Sequence, residues 1–210
     1  MKEFNVKDYW QQRYVSGGNS GVGSEGDEAL VKASIINHWI QEFGIKTISE
    51  LGSGDGNNLL LYNIPISYTG FDISEKAIEI CNEKTRKVRN SLKYYFTSEL
   101  SKIDYDADLC LSLDVWYHLV DEQVFADYCD LLFVKGNWRY IIIYSTDTDV
   151  QTTLAGVQLA RHLKFRKVMD KVKEFPQWEM LYQVSGFTTP DNQQVMFPEG
   201  KMFYLYKRKV

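Results

Sequence analysis

Long apolar runs are missing from this 210-residue sequence: nowhere do about 18 consecutive apolar residues occur, and the opening MKEFNVKDYWQQRY contains no unbroken apolar stretch. Neither membrane spanning nor export is indicated, and the expected compartment is the cytoplasm. Proline is scarce, at 4 residues, and with 44% hydrophobic and 25% charged residues large-scale disorder is not expected. An excess of positive charge is also lacking. The formal net charge of -4, with basic residues scattered along the chain, gives no general attraction to phosphate backbones, so nucleic acid is not the expected partner. The densest basic run, Lys84, Arg86, Lys87 and Arg89, falls at the end of a predicted helix, where cations suit the negative end of the helix dipole; it reads as solvated surface. Cysteine is limited to Cys81, Cys110 and Cys129, which follow no metal-ligand spacing and have hydrophobic neighbours. They read as reduced core residues, and no metal site is expected.

The length suits one domain over residues 1–210, with residues 1–28 forming an aromatic opening helix and a Gly- and Ser-rich loop, SGGNSGVGSEG, that is expected to move. Apolar spacing of three and four through Leu30, Ala33, Ile36, Ile40 and Phe43 predicts an amphipathic helix over 29–43, stopped by Gly44. Short strands follow at 45–51, 67–71, 92–97, 108–113 and 139–144. Helices are predicted between them at 57–62, at 74–87 with Ser74 as cap, and at 121–134, where Val124, Phe125, Tyr128, Leu131 and Leu132 make the apolar face. Alternating strands and helices imply parallel pairing through crossovers, hence an α/β doubly wound, Rossmann-like sheet with helices on both faces. Past residue 150 a helix is expected over 154–173. Strands at 179–184 and 201–206, joined without a helix, suggest an antiparallel pair at one sheet edge.

The sharpest motif is Glu50-Leu51-Gly52-Ser53-Gly54-Asp55-Gly56, with a glycine at every second position between a strand and a helix. Glycine admits positive φ and leaves room for a ligand to approach the backbone. A dinucleotide site would show G-x-G-x-x-G, and here the third glycine comes one residue early. Glu50 would also repel a diphosphate, whereas it suits the cationic amino and sulfonium end of S-adenosylmethionine (SAM). Asp72, about 20 residues on and at the end of a strand, is placed to accept hydrogen bonds from ribose hydroxyls.

Together these residues resemble class I SAM-dependent methyltransferases. The resemblance makes Gly52, Ser53, Gly54 and Gly56 the nucleotide loop, Asp72 with Ile73 the ribose side, and Ser98 and Glu99 the adenine side, with Leu113 a further cofactor contact. It implies SAM as methyl donor and S-adenosylhomocysteine (SAH) as product. Tyr9-Trp10-Gln11-Gln12-Arg13-Tyr14 and the glycines after it are similar to the opening of a bacterial subgroup associated with surface-polysaccharide or other small-molecule modification. By that likeness Trp10, Arg13 and Tyr14 form a lid over the cofactor with the glycine loop as hinge; packing of Tyr9, Trp10 and Tyr14 onto the sheet is the equal alternative.

Asp114-Val115-Trp116-Tyr117-His118 follows the fourth strand, at the sheet edge where open α/β folds bind ligands. The aromatic-flanked Pro-Pro motif of DNA amino-methyltransferases and the Pro-Cys of cytosine C5 enzymes are both absent. His118 can take a proton from an acceptor hydroxyl, Asp114 can orient it or bind the acceptor, and Tyr117 faces the acceptor in this reading. Arg161 and His162, in the predicted late helix, are candidate contacts to an anionic or sugar acceptor. The expected reaction is methyl transfer to a small-molecule or glycan acceptor, at oxygen. An NAD-dependent oxidoreductase and a non-catalytic SAM-binding or partner-binding module are the alternatives.

Overall fold

In the computed structural model of the chain, residues 4–63, 67–86, 93–102, 105–188 and 191–209 are described. They divide into two compact units, 1–109 and 110–210.

The first unit opens with α1 (Val6–Val15), capped by Asn5, whose side-chain oxygen accepts the Asp8 N–H at 3.0 Å. The stretch after it, expected to move, is tied down by its polar side chains. Arg13 Nε donates to the Asn19 carbonyl (2.6 Å), the Tyr14 and Ser20 hydroxyls share a hydrogen bond (2.9 Å), and Asn19 donates to Glu25 (2.7 Å). Glycine content indicated flexibility; the hydrogen bonds that oppose it come from residues spaced six apart. Helix α2 (Gly26–Glu42) buries Ala29, Lys32, Ala33, Ile36, Trp39 and Ile40. Leu30, assigned to this face by spacing, is 56% exposed, because it lies a full residue's rotation from the stripe through Ala29, Ala33 and Ile36. Gly44 ends the helix as expected: its φ of +60° lets the Ile45 N–H reach the Ile40 carbonyl at 3.0 Å.

Three parallel strands follow, β1 (Thr47–Leu51), β2 (Ser67–Phe71) and β3 (Lys93–Thr97), with α3 (Glu75–Arg86) between the last two. Their register pairs Leu51 with Phe71 and Phe71 with Thr97, so the three carboxyl ends lie level. The helix expected over 57–62 is a single 3-10 turn, Leu59–Leu61. Its ends are captured instead by Asn37 of α2, which donates to the Leu61 carbonyl (2.9 Å) and accepts the Asn63 N–H (2.7 Å). Strand β4 (Leu109–Leu113), buried throughout, crosses the boundary between the units.

In the second unit, Asp121 caps α4 (Glu122–Asp130), which runs into a π-helical turn, Leu131–Lys135. Phe125, Cys129, Leu131 and Leu132 are buried, whereas Val124 is 40% exposed, against expectation. All seven residues of β5 (Tyr140–Thr146) are buried. The helix predicted over 154–173 is a correction: only α5 (Val168–Val172) forms. Gly156 has φ +77°, Thr152 and Gln158 form a bridge, the Gln151 side chain binds both backbone groups of Phe165, and the Lys164 N–H donates to the Tyr117 carbonyl. These bonds satisfy the backbone in place of helical ones, and Leu154 and Val157 are 80% and 61% exposed.

Strands β6 (Trp178–Val184), β7 (Gly186–Thr188), β8 (Gln194–Met196) and β9 (Lys201–Arg208) complete the chain. β9 runs antiparallel to both β5 and β6, giving the antiparallel edge pair expected from the tail; β7 and β8 form a separate hairpin that the sequence reading passed over as a connection. The strand order is β3-β2-β1-β4-β5-β9-β6, a mostly parallel, Rossmann-like sheet with flanking helices. Among the described residues all three cysteines are free and buried, and no helix is long and apolar enough to cross a membrane.

Candidate functional site

The level ends of β1, β2 and β3 set three features side by side in the first unit. Gly52, Gly54 and Gly56 take φ of +90°, +57° and +76°, a conformation that L side chains rarely adopt. A Cβ on Gly54 would stand 2.3 Å from Ser20 Oγ and 3.1 Å from the Tyr14 hydroxyl, so glycine is needed there for space as well as for φ. Asp72 is buried beyond β2 and accepts the Gly54 N–H (3.0 Å) on one oxygen and the Ser74 N–H (2.9 Å) on the other. Burial raises its pKa to about 6, against the pull of these two N–H groups. Its position next to β3 is fixed by its own N–H, which donates to the Thr97 carbonyl at 3.3 Å. Ser98 and Ile73 are half-buried at these strand ends, and Glu99 is exposed and paired with Lys102 at 2.5 Å.

Glu50 is 3% exposed and accepts the Tyr68 hydroxyl at 2.5 Å. Burial raises its pKa to about 7, opposed by the Tyr68 hydrogen bond and the Lys32 charge. The Ser53 hydroxyl, in the glycine turn, is buried with no hydrogen-bond partner among the described residues. Two buried carboxyls held short of full ionisation and an orphaned hydroxyl fit SAM, whose cationic methionine end and ribose diol offer the charge and donors they lack.

Helix α1 docks on this cradle through residues that the sequence reading did not single out. Gln11 accepts from the Ser74 hydroxyl (2.8 Å) and the Lys76 N–H (3.2 Å) at the start of α3. Ser20 donates to Asp55 Oδ1 (2.8 Å) and accepts the Asp55 N–H (2.9 Å), while Lys84 approaches Asp55 Oδ2 at 3.5 Å and donates to Asn57 at 2.6 Å. Lys84 is therefore no solvated surface residue, a correction to the reading of the basic run; Lys87 and Arg89 lie outside the described residues. Arg13, half-buried, spends its guanidinium on Asn19 and lies 5.7 Å from the Trp10 ring. Tyr14 is buried with its hydroxyl against Gly54.

The second unit holds a separate constellation after β4. Leu113 is buried, and Asp114 adopts φ +58°, its N–H donating to the Tyr144 carbonyl at 2.9 Å. One Asp114 oxygen accepts the Tyr117 hydroxyl (2.5 Å) and lies 2.9 Å from Lys201 Nζ, a residue of β9 that sequence reasoning missed because no motif surrounds it. Lys201 also stands over the Tyr117 and Tyr144 rings, at 5.6 and 5.3 Å. His118 Nδ1 is 3.3 Å from the His162 carbonyl, and the two imidazoles stack at 5.7 Å. Burial lowers the His118 pKa to about 4. Arg161 and His162 sit in a turn rather than a helix; His162 joins the cluster and Arg161 is exposed. Arg166, in the same segment, is the arginine that packs here, with its guanidinium 4.0 Å from the Phe125 ring and 3.2 Å from Glu122.

Comparison with known proteins gives a family match over part of the chain and a shared fold. Residues 49–136 match the methyltransferase domain family. The fold is similar to magnesium protoporphyrin IX methyltransferase from Synechocystis with bound SAH (TM-score 0.67, 15% identity, 98% of this chain and 100% of that one). It is also similar to SAM-dependent methyltransferases from Anabaena variabilis (0.61, 17%, 99% and 96%) and Clostridium acetobutylicum (0.60, 13%, 98% and 100%). No curated protein sequence matches the chain. A glycine turn between buried carboxyls thus stands on the strand ends of a Rossmann-like sheet, inside the segment 49–136 that matches the methyltransferase domain family, and this combination supports a SAM-dependent methyltransferase.

Proposed function

We propose that residues 1–210 act as one enzyme that methylates a hydroxyl oxygen of a small molecule or glycan, with Asp114, Tyr117 and His118 engaging the acceptor. When bound, SAM supplies an electrophilic methyl group. Glu50 and the turn of Gly52, Ser53, Gly54 and Gly56 hold its methionine end in this reading, and Asp72 takes the ribose hydroxyls through the oxygen lone pairs left beside its two backbone bonds. Ile73, Ser98, Glu99 and Leu113 are further cofactor contacts. Trp10, Arg13 and Tyr14 close the cradle, Tyr14 directly and Arg13 by fixing the Asn19-Ser20 segment.

The observation that carries the oxygen assignment is the contact of His118 Nδ1 with the His162 carbonyl. A carbonyl only accepts, so Nδ1 bears the proton and Nε2 is the basic nitrogen. Burial keeps this imidazole neutral at physiological pH. A hydroxyl oxygen that gains a methyl group becomes strongly acidic, so even a weak base suffices to take its proton. Asp114, steadied by Tyr117 and Lys201, orients the acceptor by a further hydrogen bond. The net negative charge and the resemblance of the N-terminal segment favour a small hydroxylated compound or glycan over nucleic acid.

The test is to incubate the protein with SAM carrying an isotope-labelled methyl group and a panel of hydroxylated metabolites, oligosaccharides, amines and RNA, and to read the labelled product by NMR. An O-methyl signal from a metabolite or oligosaccharide is the expected result. Transfer to nitrogen, or to RNA alone, would overturn the assignment.

A further inference from the structure

The 3-10 turn Trp116–His118 is bound residue by residue to a segment 44 to 50 positions further along the chain. The Trp116 carbonyl accepts from Arg166 Nη1 (3.3 Å), the Tyr117 carbonyl accepts the Lys164 N–H (2.8 Å), and His118 Nδ1 meets the His162 carbonyl (3.3 Å). Turn and segment therefore run in opposite directions, 116 against 166 and 118 against 162. Two of the three links use main-chain groups of the later segment, which almost any sequence would supply. The third is a side chain. Arg166 Nη1 also donates to the Lys164 carbonyl (3.4 Å), so one guanidinium nitrogen bridges a carbonyl of the turn and a carbonyl of the segment. Its Nη2 lies 3.2 Å from Glu122 in the first turn of α4, and the guanidinium carbon stands 4.0 Å from the Phe125 ring centre. Glu122 is 66% exposed, and a pair with so exposed an acid contributes little by itself. The Arg166 side chain is nonetheless only 11% exposed, given up by water for carbonyls and an aromatic face. A surface ion pair does not account for that placement, whereas joining the two segments does.

We infer that Arg166 is a positioning residue for His118: its guanidinium clamps the 162–166 segment to the turn Trp116–His118 and so keeps the His162 carbonyl on His118 Nδ1, leaving Nε2 as the basic nitrogen. This rests on the reading of His118 as the base that takes the acceptor's proton. A fixed planar fork suits the task, because its donors reach two carbonyls and a carboxylate at once, which a flexible ammonium does not do with the same geometry. The groups facing His118 are the stacked His162 ring of the segment, Asp114 at the end of β4, Lys201 of β9 and the Tyr117 ring. Asp114 and the His162 carbonyl favour the imidazolium; burial above all, with the His162 ring and Lys201, opposes it. Loosening the segment uncovers the ring, so its midpoint moves up from about 4 toward the ordinary histidine value.

The inference is tested by long-range proton–nitrogen NMR of the full chain labelled with 15N-histidine, as a function of pH, for the wild type, Arg166→Met and Arg166→Lys, with His118→Ala to assign the signal. Wild-type His118 should carry its proton on Nδ1 and titrate near 4. In Arg166→Met the midpoint should rise by about one unit or more and the two neutral tautomers should both appear. Arg166→Lys should fall between the two. With an acceptor in hand, Arg166→Met should lower kcat about tenfold, with KM for SAM and SAH affinity little changed. A folded Arg166→Met protein with the wild-type midpoint and a single Nδ1–H tautomer would overturn the inference. If Arg166→Met does not fold, Arg166→Lys decides: a displaced midpoint in the folded protein supports the clamp, and a wild-type signal or failure to fold refutes it. The two readings fail separately: normal turnover in His118→Ala refutes the base whatever Arg166→Met does, and an unmoved imidazole in Arg166→Met refutes the clamp whatever the turnover.

Discussion

Substituting Gly54 by alanine probes the cradle where its parts meet. The new Cβ would stand 2.3 Å from Ser20 Oγ, closer than real Cβ atoms approach, and the φ of +57° costs an alanine about 1–2 kcal/mol. Relief requires Ser20 to move. That breaks its two hydrogen bonds with Asp55 and its bond with Tyr14, each contributing about 1 kcal/mol net. Allowing for partial relaxation, the loss is about 3 kcal/mol, or roughly 6–12 °C in melting temperature for a chain of this size. Because the Gly54 N–H also orients Asp72, SAH affinity should fall about tenfold or more. Ser20→Ala is the control: it loses the same hydrogen bonds without the clash, and combined with Gly54→Ala it should be milder than the sum of the two, since the obstructing hydroxyl is gone. Differential scanning calorimetry and titration with SAH read both effects. A Gly54→Ala protein that melts within about 2 °C of wild type and binds SAH equally would refute the reasoning.

Three further outcomes follow from the same geometry. Asp72→Asn keeps the shape but loses the charged acceptor of the Gly54 and Ser74 N–H groups and the proposed ribose partner; SAH affinity should drop about ten- to a hundredfold by calorimetry. His118→Ala should leave SAH affinity intact and reduce turnover about 10²-fold or more once an acceptor is in hand; normal turnover would remove the base from the proposal while sparing the cofactor site. Burial raises Glu50 to about 7 and Asp72 to about 6, so both carboxyls bind protons more tightly in the folded, ligand-free chain than in the unfolded one. Their contribution to stability is full below about pH 4 and fades as pH rises through 6 and 7. Glu50→Gln should therefore flatten the decline of the ligand-free melting temperature between about pH 5 and pH 8, and a decline as steep as that of the wild type would contradict this assignment.

The parts of the fold legible in the sequence were those governed by local pattern. Gly44 marked a helix end because only a positive φ closes that turn, and the unbroken apolar run Ile141-Ile142-Ile143 marked a strand buried on both sides. The glycine turn and Asp72 stood out for the same reason, each being dictated by backbone geometry over a few residues. Failures came where distant groups decide. Gln151 and Tyr117 take the backbone groups that a helix over 154–173 would have used, and Asn37 does the same at 57–63. Lys201 was invisible as a site residue because it is defined by a partner far away in sequence, Asp114. The loop through Ser20 misled in the opposite direction: its composition favours disorder, and its side chains overrule the composition.

Calorimetric titration of the wild-type chain with SAM, SAH and NADH tests the central claim most directly. The glycine turn between Glu50 and Asp72 predicts saturable binding of SAM and SAH and none of NADH. Binding of NADH without affinity for either sulfur-containing nucleoside would contradict it.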